Sequence, residues 1–477
     1  MNSVTELETT LQTLSRRRML QLGAAGLGGI ALTGLEASQQ AAGKLAHHPP
    51  RAKRVIYLFQ SGGPSQVDLF DPKPALQEHH GKDIFKLVEK TGRLTGFNDK
   101  HEIHPVIASK YKFARHGDNG AWMSELLPHM ARITDQYCTI LSTSTTPVNH
   151  DPAMTFMQTG HDLPGRPSFG SWLSYGLGSL NRNLPDFVVL MSRGDLPNMQ
   201  PISNRLWSSA FLSGRHAGVR LRSGTEPVLY LNDPAGKSVT DRRRILDAIN
   251  ELNQEELARS HDPEVSTRIE QYEMAFRMQS SVPGLADLSD EPESTYKLYG
   301  EEARVPGTFA FNCVMARRLA ERDVRFIQLY HGGWDHHFNL PDHLPKRSKE
   351  VDQASAALIL DLKQRGLLDD TIVVWGGEFG RSTYSQDEKV RESYGRDHHA
   401  GCFTTLVAGG GFKPGLIHGE TDDFCYSVVR DEVHVHDLHA TLLHQLGLDH
   451  ERLTFRHQGR DHRLTDVHGK VVRELLL

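Results

Sequence analysis

"RVIYLFQSGGP", residues 54–64, is the stretch that decides the fold. Val55 to Phe59 form an unbroken apolar run, and Gly62-Gly63-Pro64 stops it. A half-exposed strand alternates apolar and polar residues, whereas an unbroken run of this length predicts a strand buried on both faces. The same form recurs in "DFVVLM" (186–191), "VRFIQLY" (324–330), "TIVVWGG" (371–377) and "CFTTLVAGGG" (402–411). Between the runs lie helical patterns. Val351, Ala354, Leu358 and Leu362 recur at steps of three and four before Gly366, and Leu438, Thr441, Leu442, Gln445 and Leu446 do so before Gly447. Strands alternating with helices predict an α/β fold, a mostly parallel central sheet with helices on both faces. Residues 241–300 are charged, helical in pattern and poor in strand signals, which predicts a helical excursion over the sheet.

The 477 residues carry 54 Lys+Arg against 59 Asp+Glu, a net charge of −5. No basic excess points to nucleic acid. The four cysteines (Cys138, Cys313, Cys402, Cys425) form no CxxC pair, which argues against a cysteine-based zinc site. They allow three disulfide connectivities or four buried thiols, and the sequence does not choose.

"SRRRMLQLGAAGLGGIALTGL" opens on Ser15-Arg16-Arg17 and runs into an apolar, Gly-rich stretch from Leu20 to Leu35. That stretch is short for a permanent span. A charged region before a short apolar one is an export signal, and the paired arginines resemble a twin-arginine signal. The expectation is a signal peptide and linker over 1–46, cut between Ala37 and Ala46, then one domain over 51–477. Export would use the twin-arginine machinery and place the protein in the periplasm or outside the cell. An uncleaved anchor is the alternative. Residues 44–54 read as a linker, and no transmembrane helix is expected in the mature chain.

Three polar clusters adjoin strands. Asp335-His336-His337 follows "RFIQLY", Glu378 follows "TIVVWGG", and Asp397-His398-His399 precedes "CFTTLVAGGG". In open α/β sheets, ligands bind beyond the carboxyl ends of the strands. Asp, Glu and His suit zinc or manganese. Alternation in an extended loop turns Asp335 and His337 toward one ion and His336 away. A fourth stretch, "NHDPAMTFMQTGH" (149–161), predicts a helix starting near Pro152 with Asn149 or Asp151 as cap and His150 at its positive end. For each residue taken singly, an ordinary loop or capping role is the alternative.

These motifs resemble the alkaline phosphatase and sulfatase superfamily. "NHDPAMTFMQTGH" is laid out like the sulfatase nucleophile helix, and "HDLHATLLHQLGLD" (436–449) looks like a helix near the end of sulfatases. "GGPSQVDLFDPKP" (62–74), "QYEMAFRMQSSVPGLADLSDEPESTYKLYG" (271–300), "GGWDHH", "WGGEFGRS" (375–382), "GRDHH" (395–399) and "GGGFKPGLIHGETD" (409–422) resemble more closely the twin-arginine-exported domain-of-unknown-function family numbered 1501. The resemblance implies a phosphatase-like fold and a divalent ion, zinc first, with manganese, calcium or magnesium as alternatives. Asp335, His337 and His398 would hold it, with Glu378 completing the shell or acting as general base and Asp68 a further metal candidate. His150 and Arg381 would join the chemistry, and Asn149, Ser61, His336 and His399 would bind substrate. That substrate would be an anionic sulfate or phosphate ester, such as a sulfated glycan. Three departures stand beside this. Gln60-Ser61 replaces the usual Asp after the first strand, Glu378-Phe379 replaces an Asp-His pair, and no hydroxyl or thiol adjoins His150. They favour either attack by water or a non-catalytic exported module that binds an anionic glycan or a protein; a phosphotransferase or mutase is a third reading.

Overall fold

The computed structural model describes residues 46–96, 98–192, 200, 202–223 and 239–477. The proposed signal segment therefore lies outside the described residues, apart from Ala46. The core is a nine-stranded sheet. Its strands are β1 (Arg54–Gln60), β2 (Tyr137–Ser144), β3 (Phe187–Met191), β4 (Val219–Arg220), β5 (Phe326–His331), β6 (Thr371–Gly376), β9 (Phe403–Ala408), β10 (Ile417–His418) and β11 (Val433–His434). A separate hairpin, β7 (Gly380–Ser385) and β8 (Arg396–His399), stands beside it. The spatial order is β10-β2-β9-β6-β1-β5-β3-β4, with β11 also paired to β2.

All five apolar runs named above are strands of this sheet. β1 is fully buried and pairs in parallel with β5 on one side and β6 on the other. One face packs Ile56, Leu58, Leu329 and Trp375 against α5 (Phe309–Glu321) and α6 (Leu340–Gln364). The other packs Val55, Tyr57, Phe59 and Val374 against α1 (His150–Thr159), α2 (Phe169–Leu177) and α7 (Val435–Gln445). Two covered faces explain why β1 shows no polar alternation. The helical excursion is present as α3 (Val239–Ser260) and α4 (Pro263–Ala286).

Two features differ from expectation. The linker over 44–54 is not free at its end, because the Arg51 and Ala52 amides both donate to Gln445 O at 2.8 Å, at the end of α7. Strand β2 was not anticipated, and it lies inside the sheet. The direction of β9 matters most for the site. β9 is antiparallel to both β6 and β2, while the other pairings in the sheet are parallel. Its amino end therefore lies at the same edge as the carboxyl ends of β1, β5 and β6. This places the His398 segment, which precedes its strand, level with Asp335 and Glu378, which follow theirs.

Among the described residues, no helix is long and apolar enough to cross a membrane. The four cysteines are free and buried.

Candidate metal centre

Four side chains converge at that edge: His150, Asp335, His337 and His398. His150 is the first residue of α1, Asp335 and His337 lie on the loop after β5, and His398 lies in β8. The loop after β5 reaches the centre because the turn after β1 lets it. Gly62 sits at φ +118°, and a Cβ there would stand 2.5 Å from the Asp335 amide nitrogen. On the other side, a Cβ on Gly395 would collide with the His337 carbonyl. Both positions require glycine through close backbone approach.

Asp335 Oδ1 is 3.1 Å from His150 Nε2, 3.0 Å from His337 Nε2 and 3.4 Å from His398 Nε2. His337 Nε2 and His398 Nε2 are 2.9 Å apart. Donor atoms held tetrahedrally at roughly 2.0–2.1 Å from a zinc ion lie about 3.3 Å from one another, so this spacing fits one ion.

The second ring nitrogens strengthen the fit. His150 Nδ1 donates to Glu378 Oε1, His337 Nδ1 to Gln386 Oε1 and His398 Nδ1 to the Val148 carbonyl, each at 2.7 Å. A carbonyl only accepts, so His398 must carry its proton on Nδ1 and point the Nε2 lone pair inward. The same logic at Glu378 fixes His150. With the His398 proton on Nδ1, either a proton on His337 Nε2 or a cation must lie between the two nitrogens 2.9 Å apart. His150 Nε2, although close to Asp335, has no aligned hydrogen-bond partner. Ring orientation by oxygen acceptors is what metal-ligating histidines require.

Burial opposes the charge on Asp335, but Arg381 and the three imidazoles outweigh it and hold the carboxyl far below the usual range. Burial lowers His398 to about 3, with Arg381 adding to the effect. His150 moves the other way. Burial works against its charged form, yet the Asp335 and Glu378 carboxylates beside it leave it raised.

The expected ligands Asp335, His337 and His398 are thus brought together, and His336 is not among them. His336 is buried against Trp334 and His343, which removes it as a substrate contact. His150 is the fourth member of the group rather than a separate anion binder. Glu378 does not join the shell. It is fully buried and accepts from the Gly62 amide at 2.9 Å as well as from His150. Arg381 is also fully buried, donating to Gly63 O at 3.0 Å, to Arg396 O at 3.1 Å and to Asp335 Oδ1 at 2.6 Å. Its donors are committed to positioning Asp335 and the turn after β1, so it does not reach substrate oxygens. Asp68 lies outside the group, in a buried two-point pair with Arg396 at 2.7 and 3.2 Å. Ser61 is buried with its hydroxyl on Met154 Sδ at 3.2 Å. His399 is turned to the Tyr426 carbonyl at 2.7 Å. Asn149 is exposed at the start of α1, and its side chain makes no capping hydrogen bond.

Sequence reasoning missed Gln386 and Gln200, the latter donating to Asp335 Oδ2 at 2.7 Å. A lone glutamine carries no sequence signal of such a role.

The family model described as "Protein of unknown function (DUF1501)" matches residues 52–476. The chain belongs to this family. No curated protein matches it. Among solved structures, this DUF1501 protein is similar to a protein in the alkaline phosphatase superfamily from Vibrio parahaemolyticus, at 11% identity and TM-score 0.34, covering 85% of this chain and 69% of that one. It is similar to the PsFucS1 sulfatase from Pseudoalteromonas sp., at 12% identity and TM-score 0.32, covering 89% and 72%. It is also similar to the phosphonate monoester hydrolase SpPMH from Silicibacter pomeroyi, at 15% identity and TM-score 0.29, covering 67% and 68%.

Proposed function

We propose that this protein is an exported, metal-dependent hydrolase of sulfate or phosphate esters, with zinc held by His150, Asp335, His337 and His398. The observation that carries the reading is the convergence of three imidazole Nε2 atoms on one carboxylate oxygen, each ring tied by its Nδ1 to an oxygen acceptor. Three nitrogens and one oxygen favour zinc or manganese over calcium and magnesium, which prefer all-oxygen shells. A divalent ion bound there supplies Lewis acidity to an ester oxygen and lowers the pKa of a water.

The chain supplies the rest. Glu378 keeps the His150 proton on Nδ1, and Arg381 fixes Asp335 against the turn after β1. The amino end of the ten-residue helix α1, left uncapped by the Asn149 side chain, offers backbone N–H groups to anionic oxygens. His337 is the most exposed of the four, with 26% of its side chain accessible, so an ester approaches from its side. Among the described residues, no serine, threonine or cysteine hydrogen-bonds the four side chains, so cleavage by water is favoured over a covalent enzyme intermediate.

The test is a panel of sulfate and phosphate monoesters, diesters and phosphonates, offered to zinc- and manganese-loaded protein. Turnover that disappears on chelation and returns with metal supports the reading. The closed set of four protein ligands favours a second one, a non-catalytic module that binds an anionic glycan or a protein, since structural zinc sites are closed in this way. Full metal occupancy with no turnover of any ester would leave that one standing. Export rests on Arg16 and Arg17. Changing both to Lys should retain the protein in the cytoplasm, and unchanged secretion would remove the twin-arginine proposal.

A further inference from the structure

The four cysteines divide by location. Cys138 packs on one face of the sheet and Cys313 on the other, so these two cannot meet. Cys402 and Cys425 share a third, smaller cluster with Val67, Ile84, Tyr384 and Tyr426, and both are fully buried. The Cys402 thiol donates to the carbonyl oxygen of Cys425 at 3.3 Å. The two residues are therefore in contact, although 23 positions separate them.

The surroundings hold them so. Asp422 accepts from the amides of Phe424 at 3.0 Å, Tyr426 at 2.8 Å and Ser427 at 3.0 Å, closing a tight turn around Cys425. Cys425 sits at φ +52°, a left-handed conformation that non-glycine residues seldom adopt. His399 Nε2, one residue beyond His398, donates to the Tyr426 carbonyl at 2.7 Å. The turn is therefore already fastened to the segment that carries a metal ligand.

We propose that Cys402 and Cys425 are a disulfide pair, oxidised by a small disulfide to a bond that locks the segment after β8 to the turn over 422–427. This is independent of the hydrolase reading. Cys402 is the attacking sulfur. The neighbouring Cys425 thiol and His399 imidazole outweigh burial and hold its thiol below the usual range, while the neighbouring Cys402 and burial push Cys425 well above. The Cys402 thiolate attacks one sulfur of the oxidant, forming a mixed disulfide and releasing one thiol. The Cys425 sulfur, losing its proton, then attacks the Cys402 sulfur and displaces the second thiol. Two electrons pass to the oxidant, which leaves as two thiols, and two protons balance the two thiols lost from the chain. Because both sulfurs are buried, the oxidant reaches them only when the turn opens locally, so the reaction is slow and the finished bond is shielded from reductant.

The test is thiol counting and peptide mapping on the folded, unaltered protein after incubation with oxidised glutathione. Alkylation under denaturing conditions should find four reactive cysteines before oxidation and two afterwards. A proteolytic fragment pair joining Cys402 to Cys425 should appear without reductant and vanish with it. Oxidation should also raise Tm, a shift absent in Cys425→Ser and retained in Cys138→Ser. Four alkylatable thiols after prolonged oxidation, a stable glutathione adduct with no internal link, or a link to Cys138 or Cys313 would each overturn the proposal. Mapping needs no variant, so misfolding of Cys425→Ser leaves the test intact.

Discussion

Glu378→Gln isolates the contact that orients His150. The native carboxylate is fully buried, 2.7 Å from His150 Nδ1 and 2.9 Å from the Gly62 amide. A hydrogen bond to a charged group contributes about 1.5–3 kcal/mol, roughly a 10- to 150-fold factor in an equilibrium constant. Loss of an outer partner of a metal-ligating histidine typically costs about 10–100-fold in affinity. Glutamine keeps the size and an accepting oxygen but loses the charge, so the low end applies, about tenfold weaker zinc binding. Glu378→Ala, which loses the acceptor as well, should approach a hundredfold. His150→Ala removes a ligand outright and should exceed both. The assay is competition against a chromophoric zinc chelator at fixed pH, with Tm of the apoproteins as a control for folding. Zinc affinity unchanged within twofold in Glu378→Gln and in His150→Ala, in folded proteins, would refute the placement of His150 in the shell.

Asp68→Asn should destabilise the fold by about 3–5 kcal/mol in urea unfolding, because it strands a buried Arg396, yet leave zinc stoichiometry unchanged; zinc lost from a folded variant would restore Asp68 as a ligand. Gly62→Ala should cost more than about 1 kcal/mol through its positive φ and also weaken zinc at least tenfold, since the added Cβ meets the Asp335 backbone; wild-type affinity would contradict that close approach. Burial, aided by Arg215 and His436 respectively, lowers His216 and His439 to about 3 from the ordinary histidine value near 6.5. Both are neutral in the fold and protonate near 6.5 once unfolded, so stability is complete above pH 6.5 and falls as pH drops toward about 3. Each contributes a loss of about 1.4 kcal/mol per pH unit, or about 2 kcal/mol at pH 5. Urea midpoints should fall accordingly, and a flat profile between pH 6.5 and 5 would contradict neutral burial.

The central strands were legible because burial on both faces removes polar residues altogether. Strand β2 was not, since Thr139, Ser142, Thr143 and Ser144 make "YCTILSTS" look like surface chain. In the fold three of those hydroxyls find partners far away in sequence. Thr143 bonds Thr405 at 3.1 Å, Ser142 the Asp431 carbonyl at 2.5 Å and Ser144 Glu432 at 2.6 Å. Asp335 and His337 could be read from a spacing of two in an extended loop. His150 resisted assignment because its partners Asp335 and Glu378 lie far along the chain and no neighbouring residue announces them. His398 was named through the family resemblance, and the physical reason it reaches the site is the reversal of β9, which places that strand's amino end there. Asp68 and Arg381 misled for one reason: a charged side chain in a glycine-rich motif reads as chemistry, whereas a buried partner such as Arg396, 328 residues from Asp68, is invisible in sequence.

The most direct test is X-ray absorption at the metal edge, with elemental analysis, on protein purified without chelator, beside the His150→Ala and His336→Ala variants. The account predicts near one equivalent of zinc, with about four nitrogen and oxygen neighbours at roughly 2.0–2.2 Å and a multiple-scattering signal of three imidazoles. One imidazole should disappear in His150→Ala and none in His336→Ala. Absence of metal from folded protein, an all-oxygen shell, or a spectrum unchanged by His150→Ala would contradict it.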